Sequence, residues 1–467
     1  MQSESGLIER IPARASKLVL VLCLLVTGTL GAQAPAGFRG SVPEGKATAE
    51  TLSLSLDDAI ARGLRHNLGI LLSSASNAAA SGQRLEQLQS LLPRVDASAS
   101  ANVLQTNLQA QGLRVPGFPA VLGPFGYSDI RGTLNWQIVN VNSLQNYLAS
   151  RHNFAASQLS LEDARELVIL TVGNAYLLVI ADESRVESTM AQVATSKLSL
   201  DQAEANHQAG TAPLLDELRA RVDYQTQQQA EIVARNQLEK DKLALARAIG
   251  LPLDQKIALA DSAPYSALDA VEVQAAIQQA LSQRRDLKAL KEQAIAAGNE
   301  RKAATADRLP VVKAEGDYGY IGINLNNSHG TGDASASLSV PVFAELLLRG
   351  EARIAQSQLD TKRDQLADAQ AQVEADVRDA LLDIQSAQKQ VEVAHSNVEL
   401  ATEALTESRE RYKAGVSDNL SVSQALQSLA QANDQYVSSL YQHNLAKLSL
   451  ARALGVASNY RQYIGGK

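Results

Sequence analysis

Two hydrophobic periods alternate along this chain. Positions 373, 377, 380, 384, 387, 391, 394, 398, 401, 405, 408 and 412 are spaced by four and three in turn. They read Val, Val, Ala, Ile, Ala, Val, Ala, Val, Ala, Leu, Ser and Tyr. Eleven of the twelve are apolar or aromatic, which is the seam of a coiled coil. The same positions less 205 read Val, Val, Ala, Val, Asp, Val, Thr, Val, Ser, Leu, Ala and His. That seam is weaker, and its breaks at Asp182 and His207 are expected at solvated or tip positions. From about Leu346 to Lys413 only Gly350 interrupts the helical pattern. About 65 residues at roughly 1.5 Å each predict a rod on the order of 100 Å. Each rod ends at a tip, Ala209-Gly210-Thr211-Ala212-Pro213 or Ala414-Gly415-Val416-Ser417. There glycine is suited to a left-handed C-cap and a capping residue starts a returning helix. The returns, near 214–249 and 419–454, stop at Gly250 and Gly455.

The second period is two. Val95, Ala97, Ala99 and Ala101 alternate with Asp96, Ser98, Ser100 and Asn102, and Ile130, Gly132, Leu134, Trp136 and Ile138 with Arg131, Thr133, Asn135 and Gln137. Ala314, Gly316, Tyr318 and Tyr320 alternate with Lys313, Glu315 and Asp317, and Ala334, Ala336, Leu338, Val340 and Val342 with Ser335, Ser337 and Ser339. Strands are therefore expected at about 94–109, 128–140, 311–324 and 333–343. Strands of roughly 10 residues with one apolar and one polar face suit an outer-membrane barrel, and also an amphipathic sheet on a globular core. Four strands do not close a barrel, and an open edge is not tolerated in lipid. Two, three or four copies would supply about 8, 12 or 16 strands.

The chain is written twice. Ala209-Gly210-Thr211 recurs as Ala414-Gly415-Val416, and Leu243-Ala-Leu-Ala-Arg-Ala-Ile-Gly250 as Leu448-Ser-Leu-Ala-Arg-Ala-Leu-Gly455, both 205 residues on. Val172-Gly-Asn-Ala-Tyr-Leu177 and Val377-Arg-Asp-Ala-Leu-Leu382 keep that offset. Two similar lobes follow.

Arg10, Arg14 and Lys17 precede an apolar run from Leu18 to Val26, and small residues continue to Ala32-Gln33-Ala34. Residues 1–34 read as a secretory signal; the run is short of the roughly 20 residues of a membrane-spanning helix. The single cysteine, Cys23, falls inside it after Leu22, which is not the small residue that lipidation needs. Without that segment the formal charge moves from −7 to −8, mild acidity that argues against a nucleic-acid surface. Aromatic residues are only 4% of the chain, fewer than a compact globular core of this size carries. Later segments read as too short in apolar length to span a bilayer as helices, which leaves strands.

With these features in place the chain resembles the outer-membrane efflux proteins of the TolC type. The resemblance rests on Leu56-Asp-Asp-Ala-Ile60 with Asn67, Leu92-Pro93 and Leu309-Pro310, Ala175-Tyr176, Arg411-Tyr412-Lys-Ala-Gly415, and the paired Ala-Arg-Ala-Ile/Leu-Gly helix ends. It implies a mostly helical fold with a transmembrane β-barrel. Four strands per chain would join a 12-stranded barrel shared by a homotrimer, continued by antiparallel coiled-coil hairpins as a periplasmic tunnel. Its organisation would be a signal peptide at 1–34, an extension at 35–53, a first repeat at 54–254, a second at 268–457 and a tail at 458–467. Implied partners are outer-membrane lipid, a periplasmic adaptor, and an inner-membrane pump of RND, ABC or MFS type. In the family the second-repeat tips close the tunnel, often with acidic residues six and nine positions after the tip glycine. Here Ser421 and Gln424 follow Gly415 at that spacing, Asp216 and Arg219 follow Gly210, and Asp418 is the acid nearest the second tip. The departure implies a gate that is polar rather than charged.

Enzyme-like motifs are weak. His329-Gly330-Thr331 resembles the His-Gly-Thr of subtilisin-like proteases but lies in a Gly/Asn/Ser-rich run from Gly322 to Gly332 expected as a loop, with no matching nucleophile context. Ser386-Ala-Gln-Lys389 has S-x-x-K spacing but sits in the strongest heptad run. The six histidines are scattered, so no metal site is legible. No cofactor and no catalysis are expected. Three roles remain open: a passive exit duct for small-molecule efflux, the outer component of type I protein secretion, and a non-conducting coiled-coil protein of the envelope.

Overall fold

Long helices carry most of the structure because nothing in their sequences stops them. The computed structural model describes Phe38 and residues 40–114, 116–262, 265–268, 271–417 and 419–464. The expected secretory segment 1–34 and Asp418 lie outside the described residues. The first half contains β1 (Leu52–Leu54), α1 (Leu56–His66), α2 (Leu68–Gln89), β2 (Arg94–Asn107), β3 (Val121–Val139), α3 (Val141–Gln208) and α4 (Leu214–Ile249). The second contains β4 (Ile257–Leu259), α5 (Val273–Gln283), α6 (Arg285–Ala306), β5 (Val311–Gly322), β6 (Ser328–Ser339), α7 (Glu345–Lys413) and α8 (Asn419–Ala453), and α9 (Arg461–Ile464) follows. With 68 and 69 residues, α3 and α7 are each on the order of 100 Å long.

The seam does what its spacing predicts. Of the twelve positions from Val373 to Tyr412, nine are buried and three half-buried, and the twelve from Val168 to His207 divide identically. The weaker seam is therefore packed as fully as the stronger one. Asp182 corrects the expectation of a solvated break: it is 2% exposed. His207 stays half-buried at the tip, with Nδ1 3.3 Å from the carbonyl of Ala212.

One 18-residue window of α3 has a mean hydropathy of 1.6 and is 61% buried. The expectation that no later segment is apolar enough to span a bilayer is thus corrected. The apolarity belongs to a core: Val168, Val172, Tyr176, Leu177 and Val179 are enclosed with Ile60, Leu245, Ile249 and Leu448. A helix covered on several sides is apolar nearly all round. The Tyr176 hydroxyl donates to the carbonyl of Leu54 at 2.9 Å and lies 3.0 Å from Asp261 Oδ2. That carboxylate also accepts from the Leu56 amide at 2.7 Å, so it caps α1 from outside the helix. β1 and β4 pair in parallel beside it. The tail is fastened here as well: Tyr460 and Ile464 join this core, and Arg461 pairs with Asp57 at 2.7 Å.

Both tips end in the same way. Gly210 has φ 73° and Gly415 φ 70°. The amides of Thr211 and Val416 reach back to the carbonyls of Asn206 and Arg411 at 2.9 and 3.1 Å, which is the Schellman arrangement. Pro213, where α4 begins, supplies no side-chain cap. The far ends of the returns carry a tighter version. A Cβ on Gly250 would come within 2.5 Å of His66 Cβ, and one on Gly455 within 2.9 Å of the Arg284 nitrogen. Each of these glycines sits against the break between two short helices of its own half. In the first half the break is held by Asn67, whose Nδ2 donates to Phe38 and Ala248 carbonyls and whose Oδ1 accepts from the Gly69 amide.

The duplication changes offset within the fold. Pro93 and Pro310 are 217 residues apart, the tip glycines 205. The lost residues come from the strand hairpin: β2 and β3 have 14 and 19 residues, β5 and β6 have 12 each. β3 thus starts at Val121 rather than near 128, and Gly123-Pro124 and Gly126 at its start hide the alternation. β6 starts at Ser328 rather than 333, so His329-Gly330-Thr331-Gly332-Asp333 is strand, not loop. Gly330 and Gly332 carry no pattern in the sequence because their role is to receive the ring of Tyr318, whose atoms lie 2.7 and 2.9 Å from where their Cβ atoms would stand. β6 ends at Ser339, short of 343, because Pro341 lacks the amide a strand needs.

Alanine at Gly250 should be far more costly than alanine at Gly210, where nothing lies within 4 Å of the added Cβ. Left-handed backbone strain costs about 1–2 kcal/mol at both, and forced repacking against His66 adds about 1–3 kcal/mol at Gly250 only. Denaturant unfolding followed by helical circular dichroism, comparing Gly250→Ala with Gly210→Ala, measures the difference.

Candidate functional site

Two regions combine chemistry with placement: the sheet and the paired tips. The sheet has strand order β2-β3-β5-β6, all antiparallel. Its register aligns the four alternating patterns into faces. Val95, Leu134, Gly316 and Ala334 form one row across it, and Ala97, Gly132, Tyr318 and Gly332 the next. Between them run Asp96, Thr133, Asp317 and Asp333, and on the far side of the first row Arg94, Asn135, Glu315 and Ser335. Successive side chains point to opposite faces, so one face is apolar on all four strands and the other polar. On the polar face Asp317 stands directly opposite Asp333, an unfavourable like-charge pair. Arg131 offsets it by pairing with Asp317, with Asp129 at 3.4 Å, and by donating to Thr331 Oγ1 at 3.3 Å. β2 and β6 each have one neighbour, so each leaves an unpaired edge.

The predicted tip residues do not share one environment. Asp216, a tip candidate from its spacing after Gly210, is 6% exposed. Arg219 Nη1 lies 3.8 Å from its Oδ1, and the backbone carbonyl of Asp216 accepts from Asn419 Nδ2 at 3.2 Å. Asp216 is therefore wedged between the two tips. Ser421 is half-buried, with Ser417 Oγ donating to its Oγ at 3.1 Å, and Gln424 is exposed. Asp418 lies outside the described residues. The structure thus brings Asp216 and Arg219 together on the first tip, and Ser421 and Gln424 on one turn of the second.

Residues that the sequence did not single out join the two hairpins. Asn419, 1% exposed, makes the contact to Asp216. Ser423 Oγ donates to Asp223 Oδ2 at 2.5 Å. Arg409 reaches the carbonyl of Thr195 at 3.4 Å, and burial lowers its pKa. Farther up, Arg185 of α3 donates through Nε to Asp434 of α8 at 2.7 Å. Near the opposite ends of the hairpins Arg452 pairs with Asp163 at 2.6 Å and Glu166 at 3.3 Å, and burial raises both carboxyls against its attraction. Arg284, at the break between α5 and α6, pairs with Asp286 and Asp376, each at 2.6 Å. The signal for these was faint, since single polar residues on long polar helices look alike until the partner helix is placed.

No group of three or more His, Cys, Asp or Glu side chains that would hold a metal ion occurs among the described residues.

Comparison with known proteins agrees with this architecture. The family model described as outer membrane efflux protein matches residues 61–251 and 276–456. The pyoverdine export outer membrane protein OpmQ of Pseudomonas putida is 24% identical over 307 residues, 64% of each chain; this chain thus aligns to just under two thirds of that relative's length. Among solved structures, VceC of Vibrio cholerae superposes with a TM-score of 0.75 at 19% identity, covering 86% of this chain and 96% of VceC. The CmeC outer membrane channel of Campylobacter jejuni gives 0.76 at 17% identity, covering 92% and 95%. A membrane protein from Pseudomonas aeruginosa gives 0.78 at 18%, covering 89% and 100%. The family match spans most of both halves, and the chain belongs to the outer membrane efflux protein family, whose place is the outer membrane.

Proposed function

We propose that this chain is the outer-membrane exit duct of a tripartite efflux system, passively conducting small molecules delivered by a periplasmic adaptor and an inner-membrane pump. The observation that carries this reading is the sheet: one face apolar on all four strands, one polar, and two unpaired edges. Lipid accepts such a sheet only if its edges are closed. Three copies pairing β6 of one chain with β2 of the next close a 12-stranded barrel, apolar outward and polar toward a lumen. The hairpins of α3 with α4 and α7 with α8 then continue the lumen into the periplasm. Repeat limits of 54–254 and 268–457, with a secretory signal at 1–34, fit this arrangement. A conduit of this kind performs no catalysis, so the driving energy comes from the pump. The relative named for pyoverdine export favours export over a purely structural envelope role.

Single-channel recording of the assembled protein in planar bilayers should show conductance, and its complete absence would favour a structural rod. Trp136→Arg and Leu338→Arg, on the apolar face, should each cost assembly on the order of 2–4 kcal/mol if they lie near the midplane. Ser337→Arg, on the polar face, should assemble far better, as read by the yield of heat-sensitive trimer on gels; equal yields would invert the reading of the faces.

At the periplasmic end the second-repeat tips converge on the axis in this reading. Gln424→Cys, exposed on its helix, should crosslink between chains and block conduction, and Ser421→Cys less readily. Asp216→Cys, wedged against Asn419, should crosslink poorly. Efficient crosslinking at Asp216 alone would exchange the roles of the two hairpins.

A further inference from the structure

The α3 seam contains one ionisable acid, Asp182, and the other half of the molecule shows what that position needs for packing alone. The positions 205 residues on from Asp182 and Asp241 are Ala387 and Ala446, both buried in the second-half core. In the first half the same place holds two carboxyl groups. Asp182 Oδ1 accepts from Arg185 Nη1 at 3.0 Å. Its Oδ2 is buried with no donor, and the carboxyl of Asp241 on α4 comes within reach of the Asp182 side chain. Two ionised carboxylates repel at such a contact, whereas one proton between them makes a hydrogen bond. The missing donor is that proton.

The surrounding charges do not replace it. On α4, Gln237 Nε2 donates to Asp241 at 2.6 Å, and Lys242 is taken by Glu183 of α3 at 3.0 Å. On α8, the exposed Asp434 holds the Nε side of Arg185 at 2.7 Å, and Tyr441 turns its hydroxyl to Asn174 Oδ1 at 2.6 Å. Burial first, then the hydrogen bond and charge of Asp241, push the Asp182 carboxyl up to about 7, against the pull of Arg185. A groove of about 600 Å³ lined by Arg185, Gln237 and Asp434 among others reaches the residues that hold the two carboxyls, not the carboxyls themselves.

We propose that Asp182 and Asp241 share one proton as a latch between α3 and α4, with Arg185 extending the latch to α8, so that loss of the proton loosens the packing between the two hairpins. The consequence for conduction rests on the duct reading above. Because the acid's pKa is raised in the packed state, that state binds the extra proton. The latch is therefore complete below about pH 4 and is lost as pH rises through about 7. The deprotonated form therefore takes over as pH rises through the neutral range.

The test uses the assembled full chain in lipid, with hydrogen–deuterium exchange of α3 and α4 corrected for intrinsic rates at about pH 6, 7 and 8. Amides flanking Asp182 should open several-fold more at the highest pH. The Asp182→Ala/Asp241→Ala double variant, which copies the second half, and Asp182→Asn, which mimics the protonated acid, should show no pH dependence. Channel opening in bilayers should follow the same profile in the natural protein and be flat in both variants. Flat exchange in the natural protein, or the same pH dependence in the double variant, overturns the latch. Exchange that titrates as expected in a protein that never conducts would retain the latch and count against the duct.

Discussion

The fold depends on close approach of long helices along a seam of small side chains. Alanine and valine let helix axes come near the short end of the usual 8–10 Å range, and they lose little rotamer freedom on burial. Val373, Val377, Ala380, Ile384, Ala387, Val391 and Ala394 are buried in succession on α7. In proteins most helix stability comes from packing of one face rather than from propensity, and this seam supplies it along the whole rod. Only a few aromatics thicken the helical packing: Tyr176 and Tyr460 lie in the core beneath α1, and Tyr412 closes the second tip.

Duplication explains both the symmetry and its useful failures. The tips share a Schellman ending, and the distant glycines Gly250 and Gly455 each press on a helix break, because these features are demanded by backbone geometry. Where geometry makes no demand the halves diverge. The first strand hairpin is longer, the first tip buries Asp216 against Asn419, and one seam position carries a carboxyl pair where the other half has two alanines. Polar contacts between the hairpins are therefore additions to a packing that works without them. In energetic terms such contacts are modest when paired and costly when a partner is removed. That asymmetry suits links that are made and broken.

The sheet follows the same division of labour. Alternation along each strand decides which residues share a face, and the register decides whether the faces of four strands agree. Here they agree across the middle of the sheet, down to the row of Asp96, Thr133, Asp317 and Asp333, and the pattern loosens towards the hairpin ends, where Ile321 falls in line with Asp129 and His329. The like-charge opposition of Asp317 and Asp333 is tolerated because Arg131 sits two residues along the neighbouring strand, on the same face, and reaches across.

Much of this was legible in the sequence, for a physical reason. Helix length, hairpin turns and strand faces are set by neighbours in the chain: periodicity, glycine and proline act within a few residues. The returns at Leu214–Ile249 and Asn419–Ala453 were therefore readable within a residue. Boundaries failed where glycine silences the pattern, as at Gly330 and Gly332, whose purpose is the ring of Tyr318 on another strand. The apolar run of α3 was underestimated because only tertiary packing shows it covered by α1, α4 and α8. Asp182 was misplaced for a related reason. A carboxylate in a seam looks solvated in sequence, and only the packed structure encloses it, held by Arg185 and facing Asp241, some sixty residues away in the chain. Local order was thus determined by the sequence itself, whereas the pairing of polar groups across helices was decided by the tertiary structure, since it depends on which helix faces which.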